Sequence, residues 1–377
     1  MEKMKIAIVG TVASSIFGFR MPYINLLLDQ GHEVFAFAID FNSEQKQHLL
    51  DLGITPVDYN ISRSGKGLLL FLSEIKELRL KLEEVQPDIF FGYFLKPVLF
   101  GGIAAKIAKV PKRVGLIEGL GQTFTVPPNG LSLKQRFLIK VLSLGIGFVS
   151  RLLDSIIVLN SDDQLELAKY ASLSKIKLLG GIGVDLNEYS YKSISSDGKI
   201  RFLFVGRLLQ EKGVRYFLEA ADKVKKNYPN AEFLLIGALD ESSSSGITKE
   251  ELNSYTDSGV VKHYGHVTNV IDYIEKSSVF VLPSYYREGV PRSTQEAMAV
   301  GRAIITTDNT GCRDTVVDNV NGFLVNKYDS SDLATKMELY LNNPALIRMH
   351  GKNSRRLAEE RFDVANVNQR LLRFMYG

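Results

Sequence analysis

One cysteine, Cys312, occurs in 377 residues. A single thiol excludes an intrachain disulfide framework and a cysteine-rich zinc site, and it fits a reducing compartment. Long apolar runs are also missing. No uncharged stretch approaches the roughly 18 residues of a spanning helix, so none is expected. The opening MEKMKIAIVG turns apolar only briefly and has no cleavage pattern, so it reads as a strand rather than a leader. There is no low-complexity tract and no repeat of solenoid period. Several motifs are absent as well: a Gly-x-Gly-x-x-Gly fingerprint, a Walker-type phosphate loop, His-Glu-x-x-His and Asp-x-Asp.

What is present is globular. With 45% hydrophobic and 23% charged residues the composition is ordinary, and the length suggests two domains, each with its own core. The net charge of +4 is unevenly spread. Residues 60–152 hold 14 Lys and Arg against 6 Asp and Glu, a local excess of +8. That region either meets an anionic partner (phosphate, membrane or nucleic acid) or is a solvated basic face.

Short β-rich apolar runs alternate with helix-length stretches. Strands are expected at 6–9, 33–38, 89–93, 113–117 and 155–159, then at 201–205, 232–236, 260–264, 279–282 and 303–306. Helices are expected at 68–85 and 214–227. Most strand runs are continuous rather than alternating, as for strands buried on both faces. The fold class is therefore α/β, with parallel sheets and covering helices. A Ser-rich polar stretch with Asp-Gly interrupts the rhythm, giving a domain at 1–187, a linker at 188–199 and a second domain at 200–352. Two doubly wound, Rossmann-like domains would bind ligands at the carboxyl ends of their strands, in a cleft between them.

Three places could carry chemistry. The loop 10–22, GTVASSIFGFRMP, runs from strand to helix, where amides can meet an anion. Its Arg20 either holds an acceptor phosphate or is a surface or capping residue. In VGRLLQEKG (205–213), Gly206 allows a close turn, and Arg207 and Lys212 stand beside a helix start, a good site for a diphosphate. In 283–296 a loop follows a strand, Pro291 suits the first turn of a helix, Glu288 precedes that helix and Glu296 lies more than one turn inside it. Amides at Gly289, Val290 and Arg292 offer donors to an anion. The carboxylates offer acceptors to hydroxyls. A sugar joined to a nucleoside diphosphate needs both; the plain alternative is a capping Glu and an unrelated exposed one.

The spacing Glu288-x7-Glu296 resembles the signature of glycosyltransferase family 4, whose fold is GT-B. VGRLLQEKG, FLLIG (233–237), YGHVTNV (264–270), VFVLPSYYREGVP (279–291) and NGFLV (321–325) agree in order and spacing, and SIIVLNSDD and GIGVD close the first domain. The resemblance implies a retaining, metal-independent enzyme, with which the missing Asp-x-Asp agrees. It implies a nucleotide-sugar donor, a UDP-sugar by preference, and no other cofactor. Glu288 would hold the donor hexose and Glu296 the ribose. Arg207 and Lys212 would stabilise the leaving diphosphate. Pro283 and Ser284 would line the nucleotide wall, and Gly206, Gly237, His266, Val267, Gly289, Val290 and Pro291 would complete the donor site. A last helix, 353–377, would return to the first domain.

FRMP (19–22), LKPVLFGGIAAKIAKVP (95–111) and EGLG (118–121) resemble a narrower group, bacterial enzymes that extend undecaprenyl-diphosphate-linked sugars. That implies work on O-antigen or related surface polysaccharide, with Arg20 and Lys96 at the acceptor. Many family members carry a His after the strand matching 113–117; this chain has Glu118 there, so no catalytic His is assigned. Glu118 would orient the acceptor or stabilise an oxocarbenium ion, or else act one step removed. The stretch 131–153 is apolar with four cations and no acid. It reads either as a helix lying on an anionic membrane or as a core helix. The stretch 62–72 is a second candidate contact. The location implied is cytoplasmic and peripheral, on the inner face of the bacterial inner membrane. Other readings are a nucleotide-sugar 2-epimerase of the same fold, a non-catalytic sugar-nucleotide binding protein and, weakest, a nucleic-acid binder.

Overall fold

A computed structural model describes residues 2–60, 68–195, 197–240, 243 and 245–377. The chain forms two compact units. The first holds Met1–Leu120, Leu133–Ile182 and Ala365–Gly377; the second holds Gly121–Ser132 and Gly183–Val364.

The first unit is built on seven parallel strands: β1 (Lys5–Val9), β2 (Glu33–Ala38), β3 (Ile54–Asp58), β4 (Ile89–Tyr93), β5 (Lys112–Ile117), β6 (Ser155–Val158) and β7 (Ile176–Leu178). Their order is β3-β2-β1-β4-β5-β6-β7. The strand order reverses between β1 and β4, which pair from Ile6↔Ile89 to Val9↔Gly92. Helices cover the sheet, and Phe37, Tyr59, Leu78, Leu82 and Phe90 form much of the core.

The second unit repeats the scheme with β8 (Arg201–Val205), β9 (Glu232–Ile236), β10 (Lys262–His263), β11 (Val279–Leu282), β12 (Ala303–Thr307) and β13 (Gly322–Val325). The order is β10-β9-β8-β11-β12-β13, and all pairs are parallel. Its reversal lies between β8 and β11. Phe202 stacks on Phe233, ring centroids 5.3 Å apart, and Phe217 closes on Phe204 and Phe233.

Among the described residues all ten expected strands form, and three more join them. β3 contains Pro56, a residue that demotes a run in sequence; as the edge strand of its sheet β3 tolerates it. β7 has only three residues. The strand expected at 260–264 shrinks to Lys262–His263 because the amides of Val260 and Val261 both turn back to the Tyr255 carbonyl and close a helix end.

The expected helix 353–377 is two helices, Pro344–Arg361 and Val364–Tyr376. Between them Phe362 accepts a hydrogen bond from the Val184 amide and Val364 donates to the Val184 carbonyl, so the backbone there pairs with a strand-like segment. The second helix belongs to the first unit, with the Tyr23 hydroxyl 3.1 Å from Met375 Sδ and the Tyr376 hydroxyl 2.6 Å from His32 Nε2. Residues 188–195 are tied down rather than loose. The wholly buried Arg302 guanidinium donates to the Lys192 carbonyl and to that of Ser277, at 2.8 Å for the latter. The Tyr191 ring sits where a Cβ on Gly301 (φ +86°) would be, at 2.6 Å.

The stretch 131–153 folds as the helix Leu133–Leu152. Ser143, Ile146, Val149 and Ser150 are its buried residues. Leu133, Phe137, Val141, Leu144 and Phe148 are exposed and recur at three- and four-residue spacing, so they share the opposite face. Lys134, Arg136, Lys140 and Arg151 are exposed too. The stretch 62–72 lies outside the described residues as far as 67; Leu70 and Leu72 beyond it are exposed. Among the described residues no helix is long and apolar enough to cross a membrane.

Candidate active site

In the second unit the residues converge at the β8–β11 reversal, where doubly wound sheets place ligands. β8 ends at Val205, followed by Gly206 and Arg207; β11 ends at Leu282, followed by Pro283 and Ser284. Lys212 Nζ lies 2.5 Å from Glu288 Oε1. The Ser284 hydroxyl lies 3.0 Å from the same oxygen and 3.1 Å from the Glu211 carbonyl. Lys212 also stands over the Tyr286 ring, 5.2 Å from its centroid. Burial raises the Tyr286 hydroxyl above its ordinary pKa, a shift that Lys212 and Arg207 oppose and Glu288 reinforces. Arg207 is exposed, with no carboxylate paired to it among the described residues.

Backbone geometry explains the local sequence. Gly213 has φ +83°, and a Cβ there would lie 2.0 Å from the Pro283 carbonyl oxygen. Only glycine lets the 209–213 turn and the loop after β11 approach this closely. Gly237 is held the same way: its Cβ would fall 1.9 Å from the Gly206 carbonyl oxygen. The Gly206 amide bonds the Ile236 carbonyl and the Gly237 amide bonds the Gly265 carbonyl, so the ends of β8, β9 and β10 step alongside one another. The exposed His266 and half-buried Val267 follow on the β10 side.

The loop from Ser284 to Glu288 is rigidly seated. The Glu211 carbonyl accepts from the amides of Tyr285 and Tyr286, both at 2.9 Å. Thr307 Oγ1 donates to the Ser284 carbonyl, and Asn309 Nδ2 donates to that of Tyr286 at 2.7 Å. Gly289 and Val290 follow, both buried. Pro291 does not lie in the first turn: with ψ 121° it is the N-cap, and the helix runs Arg292–Val300. The positive end of that helix faces the loop.

Glu296 is held apart from Glu288. Its Oε1 accepts from Arg292 Nε at 2.8 Å, and the Tyr189 hydroxyl lies near enough for the two groups to influence each other's ionisation. Burial pushes the Glu296 carboxyl above the ordinary carboxylate value, against the pull of Arg292 and Tyr189. Cys312 lies beneath the loop with its thiol pushed up to about 12 by burial, which makes it unsuited to act as a nucleophile.

Glu118, Arg20 and Lys96 belong to the first unit. Arg20 is no surface residue: its side chain is 3% exposed and ion-paired with Glu118. Lys96 opens the helix after β4, its ammonium 5.5 Å from the Phe100 ring centroid.

Sequence reasoning missed the segment Gly121–Ser132, which the second unit holds. The Gly121 amide donates to the Arg287 carbonyl at 3.2 Å and the Arg287 amide to Thr125 Oγ1 at 2.9 Å. Gln122 Nε2 donates to Glu211 Oε1 at 3.1 Å. It also missed Tyr286, although an aromatic pair between Pro283 and a Glu was visible, and Tyr189, for which no local signal existed. Among the described residues no cluster of three or more His, Cys, Asp or Glu suited to a metal ion occurs.

Cations, a fixed carboxylate and glycine-lined backbone thus meet at the switch point of a doubly wound sheet, where such folds place their ligands. Residues 187–357 match the family described as glycosyl transferases group 1, and residues 5–147 match the glycosyl transferase 4-like family. The chain is 30% identical to a Campylobacter jejuni protein named N,N'-diacetylbacillosaminyl-diphospho-undecaprenol alpha-1,3-N-acetylgalactosaminyltransferase, over 98% of each chain. It is 25% identical to an Escherichia coli protein named UDP-Gal:alpha-D-GlcNAc-diphosphoundecaprenol alpha-1,3-galactosyltransferase, over 75% of this chain and 73% of the other. In fold it is similar to Anabaena HepE, solved with UDP and glucose, at TM-score 0.77 and 18% identity, covering 99% of this chain and 100% of that one. The architecture is GT-B, and the chain belongs to the group 1, family 4-like glycosyltransferases.

A carboxyl pKa raised in the folded state means that stability falls as pH climbs from the unfolded value towards the folded one. Glu296→Gln removes that loss. Its thermal midpoint at neutral pH is expected to equal or exceed that of the wild type; a fall of more than about 3 °C, roughly 1 kcal/mol for a domain of this size, would contradict the burial argument.

Proposed function

We propose that the protein transfers a hexose or N-acetylhexosamine, with retention at the anomeric carbon, from a UDP-sugar to a glycan carried on undecaprenyl diphosphate. The setting is O-antigen or related surface polysaccharide assembly. The observation that carries this reading is the meeting of Lys212, Ser284 and Glu288 at the β8–β11 reversal, with the exposed Arg207 two residues beyond the end of β8. Arg207 and Lys212 take up the negative charge that grows on the departing diphosphate, assisted by the helix Arg292–Val300, and no divalent cation is needed. Glu288, an acceptor-only group, holds hydroxyls of the donor hexose, and Glu296 holds the ribose. Pro283 and Ser284 line the nucleotide wall; Gly206, Gly237, His266, Val267, Gly289, Val290 and Pro291 complete it. The acceptor hydroxyl attacks the face the diphosphate leaves, and a departing phosphate oxygen takes its proton. Glu118 and Lys96 serve the acceptor side.

Support for acceptor and nucleotide comes from the relatives. Both curated relatives are named for undecaprenol-diphosphate sugars, one of them uses UDP-Gal by name, and HepE was solved with UDP. Support for a membrane partner comes from the helix Leu133–Leu152. Its exposed Leu and Phe face carries four cations and no acid, the make-up of a helix lying in an anionic lipid surface. Each such cation contributes about 1 kcal/mol near the surface. The protein then works as a peripheral cytoplasmic enzyme on the inner membrane.

The direct test gives the purified protein UDP- and GDP-sugars with an undecaprenyl-diphosphate saccharide mimic. Transfer from a UDP-sugar with retained configuration is expected. Conversion of the free donor alone would establish an epimerase instead, and donor binding without transfer to any such acceptor would indicate a binding protein. Glu288→Gln is expected to cut turnover by about 100-fold or more, as for loss of a group acting in the transition state, and Lys212→Ala to weaken both donor binding and kcat. A loss under tenfold for Glu288→Gln would remove it from the reaction. The protein is expected to sediment with phosphatidylglycerol vesicles but not with phosphatidylcholine ones. Phe137→Ser/Leu144→Ser should release it; equal behaviour with both lipids would contradict the electrostatic part.

A further inference from the structure

In the first unit a charged pair is built into the β1–β4 reversal. β1 is followed by Gly10, where a Cβ would fall 2.0 Å from the Tyr93 hydroxyl, so the Tyr93 ring lies over that glycine. The Tyr93 hydroxyl is 2.8 Å from Ser15 Oγ. The chain then makes a π-helical turn, Ile16–Arg20, before the helix Met21–Asp29 begins. Such turns are uncommon and collect at functional places. The turn delivers the Arg20 guanidinium between two rings, 4.6 Å from the Tyr93 centroid and 5.0 Å from that of Phe19. The next residue, Phe94, has φ 68°, a strained value for a bulky residue. Glu118 follows β5 and meets Arg20 in an ion pair whose side chains are 3% and 8% exposed.

Among the described residues the Arg20 charge also acts on the phenols Tyr93 on β4 and Tyr23 on the helix Met21–Asp29. Burial raises both above the ordinary tyrosine value while Arg20 pulls them down. They stay neutral, and Glu118 meets the guanidinium as its counter-charge. A guanidinium clamped between rings has little freedom to travel to a ligand, but it fixes the carboxylate that it grips.

We propose that Arg20 is a positioning residue: it balances the Glu118 charge and sets the direction in which that carboxylate meets the sugar hydroxyls, rather than binding an acceptor phosphate itself. The inference rests on the reading of Glu118 as an acceptor-side group. Two groups acting as one unit have non-additive losses, and a carboxylate displaced by about an ångström costs on the order of 100-fold in rate.

The experiment compares the full-length wild type with Arg20→Lys, Arg20→Met, Glu118→Gln and the double variant Arg20→Met/Glu118→Gln. Transfer is followed from the UDP-sugar that supports it in the screen to the undecaprenyl-diphosphate saccharide mimic, and UDP binding is followed by calorimetry. Arg20→Met should lower kcat about 100-fold and leave UDP affinity within twofold. Arg20→Lys should recover part of the loss, and the double variant should be no slower than Glu118→Gln. The double variant, with neither charge buried, also serves as the folded control if Arg20→Met does not fold. Additive losses overturn the proposal, as does a raised acceptor KM at unchanged kcat, which would place Arg20 on the acceptor. If Glu118→Gln is inactive while both Arg20 variants match the wild type, only this inference fails. If Glu118→Gln is itself unimpaired, the reading beneath it fails.

Discussion

Everything assigned to the second unit depends on the contact between the turn after β8 and the loop after β11. Lys212 and Glu288 are 76 positions apart and meet because β8 and β11 are hydrogen-bonded neighbours despite two intervening strands. A doubly wound sheet makes that meeting unavoidable: where the order reverses, the following helices depart to opposite faces and leave a crevice. Gly213 and Gly237 then let backbone approach backbone, and the Glu211 carbonyl locks the loop that carries Ser284 and Glu288. The ion pair is thus a product of topology first and of side-chain chemistry second.

The first unit uses the same reversal for a different arrangement. Its crevice holds one pair of opposite charges, buried under aromatic rings. Burying two charges costs several kcal/mol each before their attraction is counted, and strain at Phe94 adds to this. A fold keeps such an arrangement more readily for orientation than for stability. The two reversals therefore divide the proposed labour, with positive charge available to a leaving diphosphate in one unit and a fixed carboxylate in the other.

Much of this was legible in the sequence, for identifiable reasons. Continuous Val, Ile, Leu and Phe runs mark strands buried on both faces, so the strands next to the site were readable; Arg207 and Lys212 follow β8, Glu288 lies in the loop after β11, and Glu296 lies inside the helix beyond it. What was hidden depends on contacts between distant residues. β3 was masked by Pro56, which only an edge position excuses. The break at Phe362 arises from pairing with Val184, a partner no local pattern reveals. The Gly121–Ser132 segment reads as part of the first half, yet Gln122 and Thr125 bond to Glu211 and Arg287. Arg20 reads as an ordinary loop cation until the fold buries it against Glu118. Pro291 shows a smaller limit: the residue favours a helix start, but whether it caps or enters the first turn is decided by ψ alone.

The most direct test of the second unit's role is a calorimetric comparison of UDP with UMP in the presence of EDTA. If the cations at the β8–β11 reversal are the diphosphate site, UDP should bind at least about tenfold more tightly than UMP, roughly one charge-assisted hydrogen bond's worth, and should do so with metal chelated. Equal affinity for the two nucleotides, or UDP binding that appears only when a divalent cation is supplied, would contradict it.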